Sequence, residues 1–204
     1  EVEVLYQAQH GAHVGVVTVS PDMPPRYVCI HGPEHPDARW QYDFHHRRGV
    51  IVQNATAVNL DACDITPPFT PGALRGGSHV HVFSTDGSRL SFTYNDHVMH
   101  ERDTRLDLRN VGIAVPLRAV TPVKQHPREY DGSYFCLLVS ETHPAPQPGS
   151  DQINRAYEEC WIGNRGYQKP DGRWQRWAIA FIGDTLTAEG EKRPEVFVVD
   201  LPEA

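Results

Sequence analysis

His79-Val-His-Val-Phe-Ser84, Thr85-Asp86-Gly87 and Arg89-Leu-Ser-Phe-Thr-Tyr94 read as an alternating strand, a tight turn and an apolar strand. Asp-Gly between two β-rich runs signals a hairpin, because glycine accepts the positive φ that such turns require. The same plan occurs at His13-Val-Gly-Val-Val-Thr-Val-Ser20, Pro21-Asp22 and Arg26-Tyr-Val-Cys-Ile-His31. A third version is read at Gln125-His-Pro-Arg-Glu-Tyr130, Asp131-Gly132 and Tyr134-Phe-Cys-Leu-Leu-Val-Ser140. Ser20 and Ser84 are 64 residues apart, and Asp86 and Asp131 are 45 apart. Spacings of this order, with a turn inside each unit, are produced by propeller blades, none of which can bury both of its faces alone.

Other apolar runs fill out the units. Arg39–Phe44 and Gly49–Gln53 are assigned as third and fourth strands of the first blade and Leu108–Val115 to the second. Trp177–Ile182 and Glu195–Asp200 fall to the third. A helix is expected over Ser150–Glu159, with Ser150 or Asp151 as its cap. The fold class is therefore all-β: a β-propeller segment of about three four-stranded blades with one short helical insertion. The approximate blades are 1–72, 73–122 and 123–204, and residues 1–8 are expected to be the outer strand of a preceding blade.

Composition narrows the function classes. A net charge of −7 over 204 residues argues against nucleic acid as partner, since a phosphate-binding surface needs excess cations. No apolar run approaches the roughly 20 residues that cross a bilayer as a helix. Cys29, Cys63, Cys136 and Cys160 are widely spaced with no CxxC pair, which reads as free thiols in a reducing compartment. That favours the cytoplasm, with the periplasm as the alternative. The chain opens at Glu1 in what reads as a strand, so further N-terminal sequence is expected.

At Ser84-Thr-Asp-Gly87 and Leu90-Ser-Phe-Thr93 the chain resembles the WD40-like repeat of TolB-like propellers. Gly11–Val19, Tyr42–Ile51, Arg75–Phe83, Tyr94–His100, Gln125–Tyr130 and Asp151–Glu159 are similar to segments of an uncharacterised bacterial family of TolB-like propeller proteins. The resemblance implies a parent protein roughly twice this length, with blades on both sides. The partners it implies are those remaining blades, or other copies of the chain. It carries no established activity.

Twelve histidines is a large share for this length. On the propeller reading His13, His79 and His81 lie on inner strands, while His31, His97, His100 and His143 lie near the loops between second and third strands. His79 and His81 are two residues apart, so a regular strand would point them to one face. His126 aligns with His81. Neutral imidazoles at such positions suit Mn²⁺, Zn²⁺ or Fe²⁺, and His13, His79, His81 and His126 are the candidate metal ligands. The same rings serve equally as structural histidines lining a wet channel.

His79-x-His81 before a Phe-Ser-x-Asp-Gly turn also resembles the metal-bearing blade of oligogalacturonate lyases, Mn²⁺-dependent propellers in which histidines hold the ion and the ion binds a uronate carboxylate. That likeness implies metal-assisted lyase or hydrolase chemistry on an acidic carbohydrate. Arg128 and His97 are the candidate catalytic groups for handling the proton. His45-His46-Arg47-Arg48 is a second candidate, an anion contact through its guanidinium groups. The rival function is a non-catalytic propeller that binds a protein or peptide, and the fold alone does not choose between them.

Overall fold

The computed structural model describes residues 2–54, 56–163 and 165–202. Among the described residues the chain is all-β, with four sheets of antiparallel strands and almost no helix. Strands β1 (Val14–Val19), β2 (Tyr27–His31), β3 (Arg48–Gln53) and β4 (Thr56–Asn59) form the first sheet in sequence order. The second sheet repeats that order with β5 (Gly76–Phe83), β6 (Leu90–Asp96), β7 (Asn110–Val115) and β8 (Phe135–Leu138). The third has three strands, β9 (Ala156–Trp161), β12 (Ala178–Leu186) and β13 (Lys192–Asp200), with β12 central. Between β9 and β12 the chain makes a small hairpin of β10 (Tyr167–Gln168) and β11 (Trp174–Gln175). A short helix, α1 (His97–Arg102), follows β6, and a single 3-10 turn at Thr104–Leu106 follows it.

The first two sheets open with the same turn device. The Ser20 amide donates to Arg26 O, and Ser20 Oγ accepts the Arg26 amide at 2.9 Å. Ser84 does the same with Arg89, at 3.0 Å for the hydroxyl bond, and Gly87 takes φ +72°. The arginine that follows each turn then reaches to the next sheet. Arg26 donates to Tyr134 Oη at 3.0 Å and to Gly87 O, and lies over Phe83; Arg89 lies 4.3 Å over Trp177. The 64-residue offset is thus a repeated staple between layers.

The three sheets stack in series. Val28, Ile51 and Leu60 of the first pack with Phe83, Leu90, Phe92, Tyr94, Ala114 and Cys136 of the second. The opposite face of the second offers Val111 and Ile113 to Ile153, Ala156, Trp177, Ile179 and Phe181. Phe92 is fully buried, and removing a side chain of that size from water contributes about 2–3 kcal/mol.

Four expectations are corrected. Arg39–Phe44 forms bends and turns, and the fourth strand of the first sheet is Thr56–Asn59. Gln125–Ser140 is not a hairpin opening a third unit. Phe135–Leu138 pairs with β7 as the outer strand of the second sheet, and Gly132 pairs with Val120 while its Cα approaches Ala62 so closely that a Cβ would sit 2.1 Å from Ala62 N. The expected helix at Ser150–Glu159 is a turn followed by β9, whose pairing with β12 outweighs local helix preference. Residues 2–8 form no strand (Glu1 lies outside the described residues); Tyr6 instead covers part of the first sheet, with its hydroxyl 2.9 Å from His31 Nε2.

Candidate functional site

The β2–β3 connection spans residues 32–47 and is shaped by its own carboxylates. Asp37 Oδ1 accepts the amides of Arg39 (2.8 Å) and Trp40 (2.9 Å), a local turn that presents the indole. Asp43 then folds the chain back, its Oδ1 accepting the Phe44 amide and its carbonyl the His46 amide. Trp40 lies flat on His46, with ring centroids 3.9 Å apart.

Two adjacent glycines bring this loop against the second sheet. A Cβ on Gly77 would meet Phe44 O at 2.0 Å, and one on Gly76 would meet Asn95 O at 2.2 Å and His97 N at 2.4 Å. Only glycine permits backbones to approach this closely. The result places the 44–46 turn beside the first residue of α1. Asp96 caps that helix, accepting the Met99 amide at 3.0 Å while paired to Arg75.

Six aromatic rings meet there. His46 Nε2 is 3.1 Å from His97 Nδ1, His45 stacks on His100 at 3.8 Å, and Phe44 and Trp40 close the edges. One nitrogen from each of His45, His46 and His97 lies within 4.8 Å of the others, as do His45, His100 and Asp107. Burial, reinforced by neighbouring imidazoles, pushes His46 down to about 3 and His97 to about 4. His45 is also lowered, first by burial and then by His100. These rings are neutral at neutral pH.

The cluster forms one wall of a cavity of about 770 Å³. The other walls bring Arg48, His126, Arg128 and Trp40. Arg128 donates to the carbonyls of Glu34 (2.7 Å) and His35 (3.0 Å), pairs with Asp37 at 2.8 Å, and lies 5.7 Å from the Trp40 ring centre. Arg48 lies over Tyr130 and pairs loosely with Glu34 at 3.4 Å. Glu129 is occupied otherwise, accepting the amides of Gln125, His126 and Ile65.

Of the residues singled out from the sequence, His97, His126 and Arg128 line this cavity, and His13, His79 and His81 do not. Among the described residues, neither group of metal-capable donors contains His13, His79, His81 or His126. His13 is exposed at the start of β1, its ring tilted against Tyr42. The shared face expected for His79 and His81 is corrected by a β-bulge between His79 and Val82, where Val80 takes φ +47°. His79 stays with Thr93 and Val111 on the face toward the third sheet, near Arg109 and Asn95. His81 turns to the first sheet, its Nε2 2.9 Å from Ser78 Oγ and close against Gly49. His126 is exposed, its Nδ1 accepting the Arg128 amide. The sequence reading named none of His45, His46, His100 and Asp107 as a metal-capable donor, and these are the residues that the structure brings together. The signals were present in the His45-His46 pair and in the i, i+3 spacing of His97 and His100.

The family model for a protein of unknown function (DUF3748) matches residues 13–130, more than half of the chain. An uncharacterised protein of Escherichia coli strain K12, YidR, is 64% identical over 203 residues, which cover 100% of this chain. The chain spans 46% of that relative's length. No solved structure matches.

Proposed function

We propose that this chain, which belongs to the DUF3748 family, uses the cavity beside Trp40 to bind an anionic small molecule of the acidic-sugar class, and that its stacked sheets are blades of a TolB-like propeller. The observation that carries the binding reading is the pairing of an aromatic plane with held guanidinium groups: Trp40 is pinned by His46, and Arg128 is pinned by two backbone carbonyls. A sugar ring stacks on an indole, and a uronate carboxylate takes guanidinium hydrogen bonds. The carboxylates now beside Arg48 and Arg128 belong to Glu34 and Asp37, which are themselves solvent-accessible and can give way to an incoming anion. Lyase or hydrolase chemistry on such a sugar is the catalytic form of this proposal, with His97 and Arg128 on the cavity wall as the groups to move a proton.

The outer faces of the stack support the blade reading. Val14, Val17 and Val19 on β1, and Val196 and Val198 on β13, are exposed apolar residues on the two outermost strands, neither of which buries any residue fully. Further sheets of the same build suit these surfaces, as does a second copy of the chain.

The test is calorimetric titration with galacturonate oligomers and with neutral oligosaccharides of equal length. Binding of the acidic series alone, weakened about tenfold or more by Arg128→Ala, supports the proposal. Equal binding of both series, or none, removes it. Appearance of unsaturated-uronate absorbance in the same mixtures selects the lyase form. A protein or peptide ligand that competes for the cavity while sugars do not selects the non-catalytic rival.

A further inference from the structure

We infer that His45, His46 and His97 form a mononuclear site for a divalent metal of zinc's class, with one coordination position open to the cavity. The inference stands on the histidine geometry and does not depend on the sugar reading; with the ion bound, His97 is a ligand and no longer serves as the proton-moving group named there.

The three donor nitrogens come from two separately anchored pieces of chain. His45 and His46 sit in the turn held by Asp43 and wedged against Gly77, and His97 opens α1 against Gly76. Their mutual distances, all within 4.8 Å and 3.1 Å for the His46–His97 pair, bracket the separation of about 3.4 Å between donors bound at about 2.0–2.1 Å around a tetrahedral zinc ion. The plain alternative is a packed aromatic cluster with one hydrogen bond between His46 and His97. That bond joins only one pair, and it leaves the buried Nδ1 atom of His45 without a partner. Leaving buried polar atoms unpaired is unfavourable, whereas an ion takes a lone pair from each ring at once.

The overlapping set, His45 with His100 and Asp107, is better suited to a supporting layer. Asp107 already accepts the Asp96 amide (2.8 Å), the Asn95 side-chain amide (3.0 Å) and His100 Nδ1 (3.1 Å). His100 in turn lies flat on His45 and fixes its plane. Neither His100 nor Asp107 lines the cavity, while His45, His46 and His97 all do. Three neutral imidazoles with no carboxylate favour Zn²⁺, Co²⁺ or Ni²⁺ over the oxygen-seeking Ca²⁺ and Mg²⁺. Three protein ligands and a position facing a cavity is the arrangement of zinc sites that bind or activate a fourth, exchangeable ligand.

The test uses the full-length protein, stripped with a chelator and titrated with Co²⁺, then Zn²⁺. One equivalent of Co²⁺ should bind with the intense visible absorption of a four-coordinate nitrogen site, and Zn²⁺ should displace it. His97→Ala, at a half-buried position, should keep the circular dichroism of the wild type and weaken Zn²⁺ binding by about a hundredfold or more. His46→Ala should do the same if it folds; His97→Asn is the second variant should His97→Ala not. His100→Ala should retain one equivalent with about tenfold weaker binding, and His79→Ala should bind as the wild type. Wild-type protein that takes up no Co²⁺, a folded His97 variant that binds Zn²⁺ as tightly as the wild type, or loss of the metal in His79→Ala each overturns the assignment.

Discussion

Trp40 lies flat against His46, with ring centroids 3.9 Å apart and planes within 19° of parallel. The stack joins an indole that lines the cavity to its histidine wall, so on the proposed reading Trp40 both meets the ligand and holds an imidazole in place. Trp40→Ala should therefore weaken galacturonate binding about tenfold, as expected for loss of one aromatic contact worth about 1–1.5 kcal/mol. Trp40→Phe should recover most of it. Calorimetric titration of both variants checks this, and equal affinity in Trp40→Ala and wild type would remove the indole from the ligand contact.

Gly77→Ala places a methyl group 2.0 Å from Phe44 O, and the obstruction is backbone on both sides. No rotamer change relieves it, so the 44–46 turn must move away from β5. A loss of about 2–4 kcal/mol is expected, read as a lower urea midpoint with unchanged slope. Ligand binding in the cavity should fall along with stability.

Glu159 on β9 is buried between the second and third sheets beside Arg109, with Oε1 lacking a partner, and burial raises it to about 8. Its unfolded value is the ordinary 4.5, so the folded protein holds a proton that the unfolded chain releases. Stability contributed by this group is full below pH 4.5 and is lost as pH rises through 8. The buried histidines, whose unfolded midpoint is about 6.5, contribute equally to both proteins, so comparison with Glu159→Gln isolates Glu159 over the interval from 6.5 to 8. Across it the wild type should lose on the order of 2 kcal/mol that Glu159→Gln does not lose. Thermal unfolding of both proteins at several pH values measures the difference, and parallel curves would assign the slope elsewhere.

Cys29, Cys63 and Cys136 are buried and Cys160 is exposed. Burial raises Cys29 to about 11 and holds Cys63 and Cys136 well above the usual thiol range. A thiol reagent should label Cys160 alone in the native protein and the other three only on unfolding, as peptide mapping of the labelled chain would show. Labelling of Cys63 under native conditions would mean that the segment around Tyr130 opens readily.

The hairpins of the first two sheets were legible because their determinants are local: a serine that caps the turn, an aspartate or glycine inside it, and alternating strands on either side. Asp131-Gly132 carries the same local signal, yet its glycine serves a close approach to Ala62 and not a turn between paired strands. Ala156–Trp161 has a helical composition and becomes a strand because β12 offers it an edge. The bulge at Val80 was illegible for a different reason. A β-branched residue is disfavoured at positive φ, so nothing at that position announces it. In the cavity, the His45-His46 pair and the His97–His100 spacing are plain in the sequence. Their meeting depends on Gly76 and Gly77 admitting two distant backbones, a long-range contact that residue spacing does not encode.

The bulge at Val80 has a mechanical consequence for the stack. By turning His81 away from His79, it plants one buried imidazole in each of the two seams that join the middle sheet to its neighbours. Burial lowers them to about 2 and about 3, so both seams refuse protons that an opened molecule accepts from pH 6.5 downward. Acid should then part the layers from within while each sheet keeps its own hydrogen bonds, giving near-ultraviolet dichroism that vanishes before the far-ultraviolet signal. Two neighbouring residues of one strand thereby set a common acid limit for both sides of the molecule.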